Sequence, residues 1–147
     1  MTNREFIQSK HCLPPKLAWW LQPSFSFDIQ TVTLLVEPTW AYGRSWIALT
    51  RGTRIRLDPI WFYRCTTSSF FQIAAHELYH VGEYKRQGWW SHLWEWVWGI
   101  KASRATGVPY NHAVIPEESE AEACRQAVYR RLSQSTGWEN LLDAEAT

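Results

Sequence analysis

The run FFQIAAHELYHVGEYKRQ, residues 70–87, leaves this chain the fewest options. Its apolar residues fall at Phe70, Ile73, Ala74, Leu78 and Val81, three or four apart, which is the stripe of a helix and not the alternation of a strand. Thr66, Thr67, Ser68 and Ser69 offer N-caps before it, and Gly88 supplies a stop after it. A helix with one apolar stripe needs another element to bury that stripe against. Residues 28–37, DIQTVTLLVE, are rich in β-branched side chains, stop at Pro38 and predict a strand. Gly43 marks a turn, after which residues 44–50 and 53–59 predict a hairpin around Arg51-Gly52. In its second arm Ile55 and Leu57 alternate with Arg54 and Arg56, the pattern of a half-buried strand.

Residues 89–101 predict a second helix, broken by Gly107 and Pro109. Pro116 opens a third at 117–132, with acids first and arginines last in accord with its dipole. Residues 1–27 read as an irregular arm with one helical turn at LAWWL (17–21), and residues 136–147 as a peripheral tail. The expectation is one α+β domain over residues 1–147, with its core at about 28–135.

Composition bounds the partners. A net charge of +1, with basic residues scattered among acids and aromatics, argues against nucleic acid. The three cysteines, Cys12, Cys65 and Cys124, contain no C-x-x-C pair and read as reduced, buried thiols. The first residues lack the apolar core of a secretory signal, and no run reaches the ~18 apolar residues of a membrane span. A cytoplasmic chain is expected, with association to a virion also in view.

The chemistry sits in the central helix. His76, Glu77 and His80 form H-E-x-x-H. Positions i and i+4 share a helix face, so both imidazoles can reach one ion at about 2.0–2.1 Å. Glu77 follows the first histidine directly and so lies beside an ion instead of on it. There a carboxylate can take a proton from a water molecule activated by zinc. A catalytic zinc site takes three protein ligands and leaves one position open, so a third is owed.

For the pattern H-E-x-x-H-x-x-G-x-x-H, Gly82 comes one residue too early and Arg86 occupies the position of the last histidine. His92, twelve residues beyond His80 and after Gly88, is one candidate, and His112 is another. A carboxylate of the 117–132 helix is the third kind, from among Glu117, Glu118, Glu120 and Glu122. Glu118 and Glu122 are four apart and share a face, so one can bind zinc while the other orients a histidine.

The segment Pro116-Glu117-Glu118-Ser119-Glu120-Ala121-Glu122 resembles the E-x-x-A-[DN] third-ligand helix of gluzincins, the group of thermolysin and the CAAX prenyl proteases. The resemblance implies that Glu118 is the third ligand, Ala121 a small packing residue and Glu122 the carboxylate behind a histidine. Glu122 stands where Asp or Asn is usual. A nearer likeness is to small bacterial and phage metallopeptidases with the pattern T-x-G-x-x-I-x-L, H-E-L-x-H-V-x-x-Y-x-x-x-G, P-x-E-x-E-A. This chain carries Thr50 to Leu57, His76 to Gly88 and Pro116 to Ala121 in that order, so the likeness covers roughly residues 30–130. It implies a minimal zincin-like fold, with a small, mostly antiparallel sheet, the H-E-x-x-H helix and a following ligand helix. It also implies a Zn2+ cofactor and peptide-bond hydrolysis with Glu77 as general base.

In such a fold the strand 53–57 is expected at the sheet edge, where an extended peptide substrate pairs with it. Tyr110 and His112, on the loop before the ligand helix, are the candidates to stabilise an oxyanion. Tyr79 is expected to point away from the metal face. The tryptophan-rich segment 89–98 reads either as core and cleft wall or as a face for a protein partner. Only Lys101 and Arg104 lie near it, too little positive charge for an anionic membrane. Two other functions stay open: a zincin scaffold without turnover, as a virion- or toxin-associated component, and a SprT-like protease with His92 as third ligand.

Overall fold

The computed structural model describes residues 1–39, 47–106 and 116–146. In chain order the helices and strands are α1 (Asn3–Lys10), α2 (Pro15–Leu21), β1 (Thr33–Val36), β2 (Ala48–Arg51), β3 (Arg54–Leu57), α3 (Pro59–Arg64), α4 (Thr67–Thr106) and α5 (Pro116–Ser133). Single 3-10 turns lie at Gln22–Ser24 and Ile29–Thr31. The architecture is α+β: helices packed with a small three-stranded sheet. Among the described residues no helix is long and apolar enough to cross a membrane.

The sheet has the order β1-β3-β2. β1 runs parallel to β3, with Leu34 opposite Ile55 and Val36 opposite Leu57. β2 runs antiparallel to β3, with Thr50 opposite Ile55. The sheet is therefore mixed and not mostly antiparallel. Strand 53–57 is also not the edge expected from the sequence: β3 is the central strand. β1 pairs along its free side, and in that register Ile55 and Leu57 join Leu34 on one buried face. Among the described residues β2 is the edge on the hairpin side. The β2–β3 connection is Gly52-Thr53, and Gly52 takes φ +62, the left-handed first position that a two-residue hairpin loop assigns to glycine.

α4 buries Phe70, Phe71, Ala74, Ala75, Leu78 and Val81, a wider stripe than the sequence pattern alone, while Ile73 is only half-buried. Gly88 interrupts α4 with φ 81 and ψ 166, a backbone region open to glycine alone, so the stop expected there is a sharp change of direction between two helical arms. α5 packs along α4.

Both chain ends depart from expectation. Residues 1–27 form two helices, and Ile7, Leu13, Leu17, Ala18 and Leu21 belong to the same core as β1, β3 and α4. α1 carries no apolar stripe; its signal is a capping box, in which Thr2 accepts from the Glu5 amide and the Glu5 carboxylate accepts from the Thr2 amide. The tail is not peripheral. Leu142 is fully buried, Asn3 N donates to Ala144 O at 2.9 Å, and Trp138 Nε1 donates to Leu132 O at 2.8 Å. The predicted strand arm 53–59 stops at Leu57, because Asp58 caps Trp61 N and Pro59 starts α3. The three cysteines are free and half-buried.

Candidate metal centre

α4 sets two imidazoles on one face, one turn apart, and α5 brings a carboxylate up to them. His76 Nε2 lies 3.3 Å from His80 Nε2. Glu118 bridges the pair, with Oε2 3.0 Å from His76 Nε2 and Oε1 2.9 Å from His80 Nε2. All three side chains are largely removed from solvent, at 8% exposure for His76, 10% for His80 and 12% for Glu118. Ala121, one helical turn beyond Glu118, is fully buried, and so small a residue lets α5 lie close to α4.

The opposite side of the His76 ring is also held. Its Nδ1 lies 3.1 Å from Glu122 Oε1, and the other Glu122 oxygen accepts from Arg125 Nε at 2.8 Å. Arg125 Nη1 in turn donates to Gln72 Oε1 on α4 at 2.6 Å, so the assembly is tied back to the helix that carries the histidines. A neutral His76 that donates Nδ1–H to Glu122 presents a bare lone pair at Nε2. That lone pair faces a carboxylate oxygen of Glu118 and the Nε2 of His80. Such a buried grouping is satisfied by a positive charge, either a ring proton among these atoms or a cation between them.

A metal ion satisfies that requirement geometrically. Ligands at about 2.0–2.1 Å around a tetrahedral ion lie roughly 3.3 Å apart. The two ring nitrogens stand 3.3 Å apart, and each has a different Glu118 oxygen at 2.9 or 3.0 Å, separations of the same scale. The two oxygens of Glu118 both turn toward the histidines, and two nitrogens with one carboxylate form a donor set that could hold a divalent transition-metal ion.

Glu77 does not join the triangle. It is 9% exposed, and its Oε2 accepts a hydrogen bond from the Thr50 hydroxyl on β2. Tyr79 turns to α5 and donates to Glu120. Burial first, and then that hydrogen bond, push the Tyr79 phenol far above the ordinary range, which keeps it a protonated donor. Of the other residues singled out in the sequence, Tyr110 and His112 lie outside the described residues, as do the side chains of His92 and Glu117. Sequence reasoning missed two participants, Thr50 and Arg125. Arg125 was findable, because it stands three residues after Glu122 on a predicted helix. Thr50 carried no signal pointing to Glu77, 27 residues away. Comparison of the chain with protein-family models, with curated proteins and with solved structures gives no match.

Proposed function

We propose that this chain is a zinc-dependent metallopeptidase in which His76, His80 and Glu118 hold the ion and Glu77 is the general base. The observation that carries this reading is the convergence of one ligand atom from each of those three residues, all within 4.8 Å of one another, beside a glutamate that is left out of the set. A bound divalent ion would supply Lewis acidity, polarising a peptide carbonyl and acidifying water. The residues of the chain do the rest. Glu122 holds the His76 ring in the tautomer that offers Nε2 inward. Glu77 accepts a proton from the attacking water and passes it to the leaving amine. β2, the strand beside Glu77 and an edge among the described residues, would receive an extended peptide in place of residues 53–57. Tyr110 and His112 remain the proposed oxyanion donors, and the segment 89–98 a proposed partner face. Three free thiols support a reducing, cytoplasmic setting.

The test combines metal analysis with cleavage of a random peptide pool. The expected result is one zinc per chain in the wild type and in Glu77→Gln, with cleavage only by the wild type. Retained zinc without wild-type cleavage would favour a scaffold that binds metal and performs no turnover. Zinc lost in His92→Ala and kept in Glu118→Ala would favour the SprT-like ligand set.

A further inference from the structure

The β2–β3 hairpin is fastened to α4 at two points. Thr50 Oγ1 donates to Glu77 Oε2 and lies 3.5 Å from the Glu77 carbonyl oxygen. Two residues further on, Gly52 covers the ring of Tyr84, where an added Cβ would stand 3.6 Å from Cζ. Glu77 and Tyr84 are seven apart, so both contacts fall on one face of α4 and the hairpin lies along it. The Glu77 carboxylate is nearly out of reach of bulk water, and among the described residues Thr50 is its one side-chain donor.

We propose that Thr50 is the positioning residue for Glu77: its hydroxyl fixes which carboxylate oxygen is tied to the sheet and which is left to take a proton. This rests on the reading of Glu77 as the base. The terminal torsion of a glutamate is broad and roughly two-fold, so packing alone does not select one oxygen. A hydrogen bond to Oε2 does select one, and it leaves the lone pairs of Oε1 for the substrate water. The same bond links the base to the strand proposed to receive the peptide, so any peptide drawn onto β2 arrives in register with Glu77.

Thr50→Val removes the hydroxyl at nearly constant shape, and Thr50→Ser keeps it. The expected result for Thr50→Val is unchanged zinc stoichiometry, unchanged KM for a peptide substrate, and a kcat lowered about ten- to a hundredfold, the scale of a misplaced reacting group. Thr50→Ser recovers most of that loss. In a Glu77→Gln background Thr50→Val adds nothing further. A second readout needs no activity. In carbon-13 spectra of glutamate carboxylates, the signal that Glu77→Gln deletes shifts in Thr50→Val and returns in Thr50→Ser. A raised KM at constant kcat, a serine variant as slow as the valine one, or a stationary carboxylate signal overturns the assignment. A wild type that cleaves no peptide removes the peptidase reading, and the carboxylate signal then upholds or overturns the role of Thr50 by itself.

Discussion

Replacing Glu122 by alanine separates the ligand from the residue behind it. Glu122 Oε1 stands 3.1 Å from His76 Nδ1, on the side of the ring away from Glu118, so the substitution removes no candidate ligand atom. It removes the acceptor that holds the Nδ1 proton and orients the ring. Losing such a partner costs about 10–100-fold in metal affinity. The lower end applies here, because the Glu122 side chain is 37% exposed and already shares its charge with Arg125, so water replaces part of what is lost. Tenfold is about 1.4 kcal/mol. At free zinc near 100 times the wild-type Kd, binding stabilises the wild-type fold by about 2.7 kcal/mol and the variant by about 1.4 kcal/mol. Zinc titration against a competing chromophoric chelator reads the affinity, and melting with and without zinc reads the linked stability. Glu118→Ala is the control: it deletes the carboxylate that bridges both imidazoles, and stoichiometric binding is lost. The reasoning fails if Glu122→Ala loses as much affinity as Glu118→Ala, or if it loses none.

The core and the backbone give further expectations. Phe71 is fully buried against Trp20 and Phe70, so Phe71→Ala lowers stability by about 3–5 kcal/mol, seen as a lower urea midpoint, and an unchanged midpoint would contradict its place in the core. At Gly88 an added Cβ meets nothing within 4 Å, so Gly88→Ala costs only its left-handed backbone, about 1–3 kcal/mol by thermal melting. Burial pushes the thiols of Cys65 and Cys124 up, since desolvation penalises the thiolate, with Arg4 opposing this in part at Cys65. Iodoacetamide at pH 8 therefore labels both more slowly than a free peptide thiol, and the rate climbs only at higher pH. Site-resolved mass spectrometry checks this, and rapid labelling at pH 8 would contradict it.

What the sequence revealed about the fold depended on whether the signal was local. The α4 stripe, the break at Gly88 and the start of α5 at Pro116 are each written in side chains within a few residues of the feature. The strand order is not. Alternation in 53–57 shows which residues face inward, and it is the same whether that strand is central or at an edge; only the parallel partner at 33–36, some 20 residues upstream, decides between them. The ends were misjudged for a related reason. α1 buries one apolar residue, Ile7, so it has no stripe to detect, and its stability comes from a capping box and from a tail more than 130 residues away, through Asn3 Nδ2 to Leu141 O and Arg4 Nε to Asp143.

The site divides along the same line. Two histidines at i and i+4 are a statement about one helix, and their shared face follows from helix geometry alone. That Glu118 meets them depends on α5 packing against α4, which spacing cannot give, and four acids in the first turns of a helix are equally well explained by its dipole. The structure separates those acids by what each one faces. Glu120 accepts from a phenol, and Glu122 is balanced by Arg125 and a ring N–H. Glu118 is turned toward two ring nitrogens, one on each of its oxygens. A buried carboxylate that faces an acceptor is unfavourable in a protein without a cation, and favourable once an ion sits between them. Among these acids Glu118 is thus the one whose surroundings suit a bound ion, and for that reason it, and not its more comfortable neighbours, is the proposed third ligand.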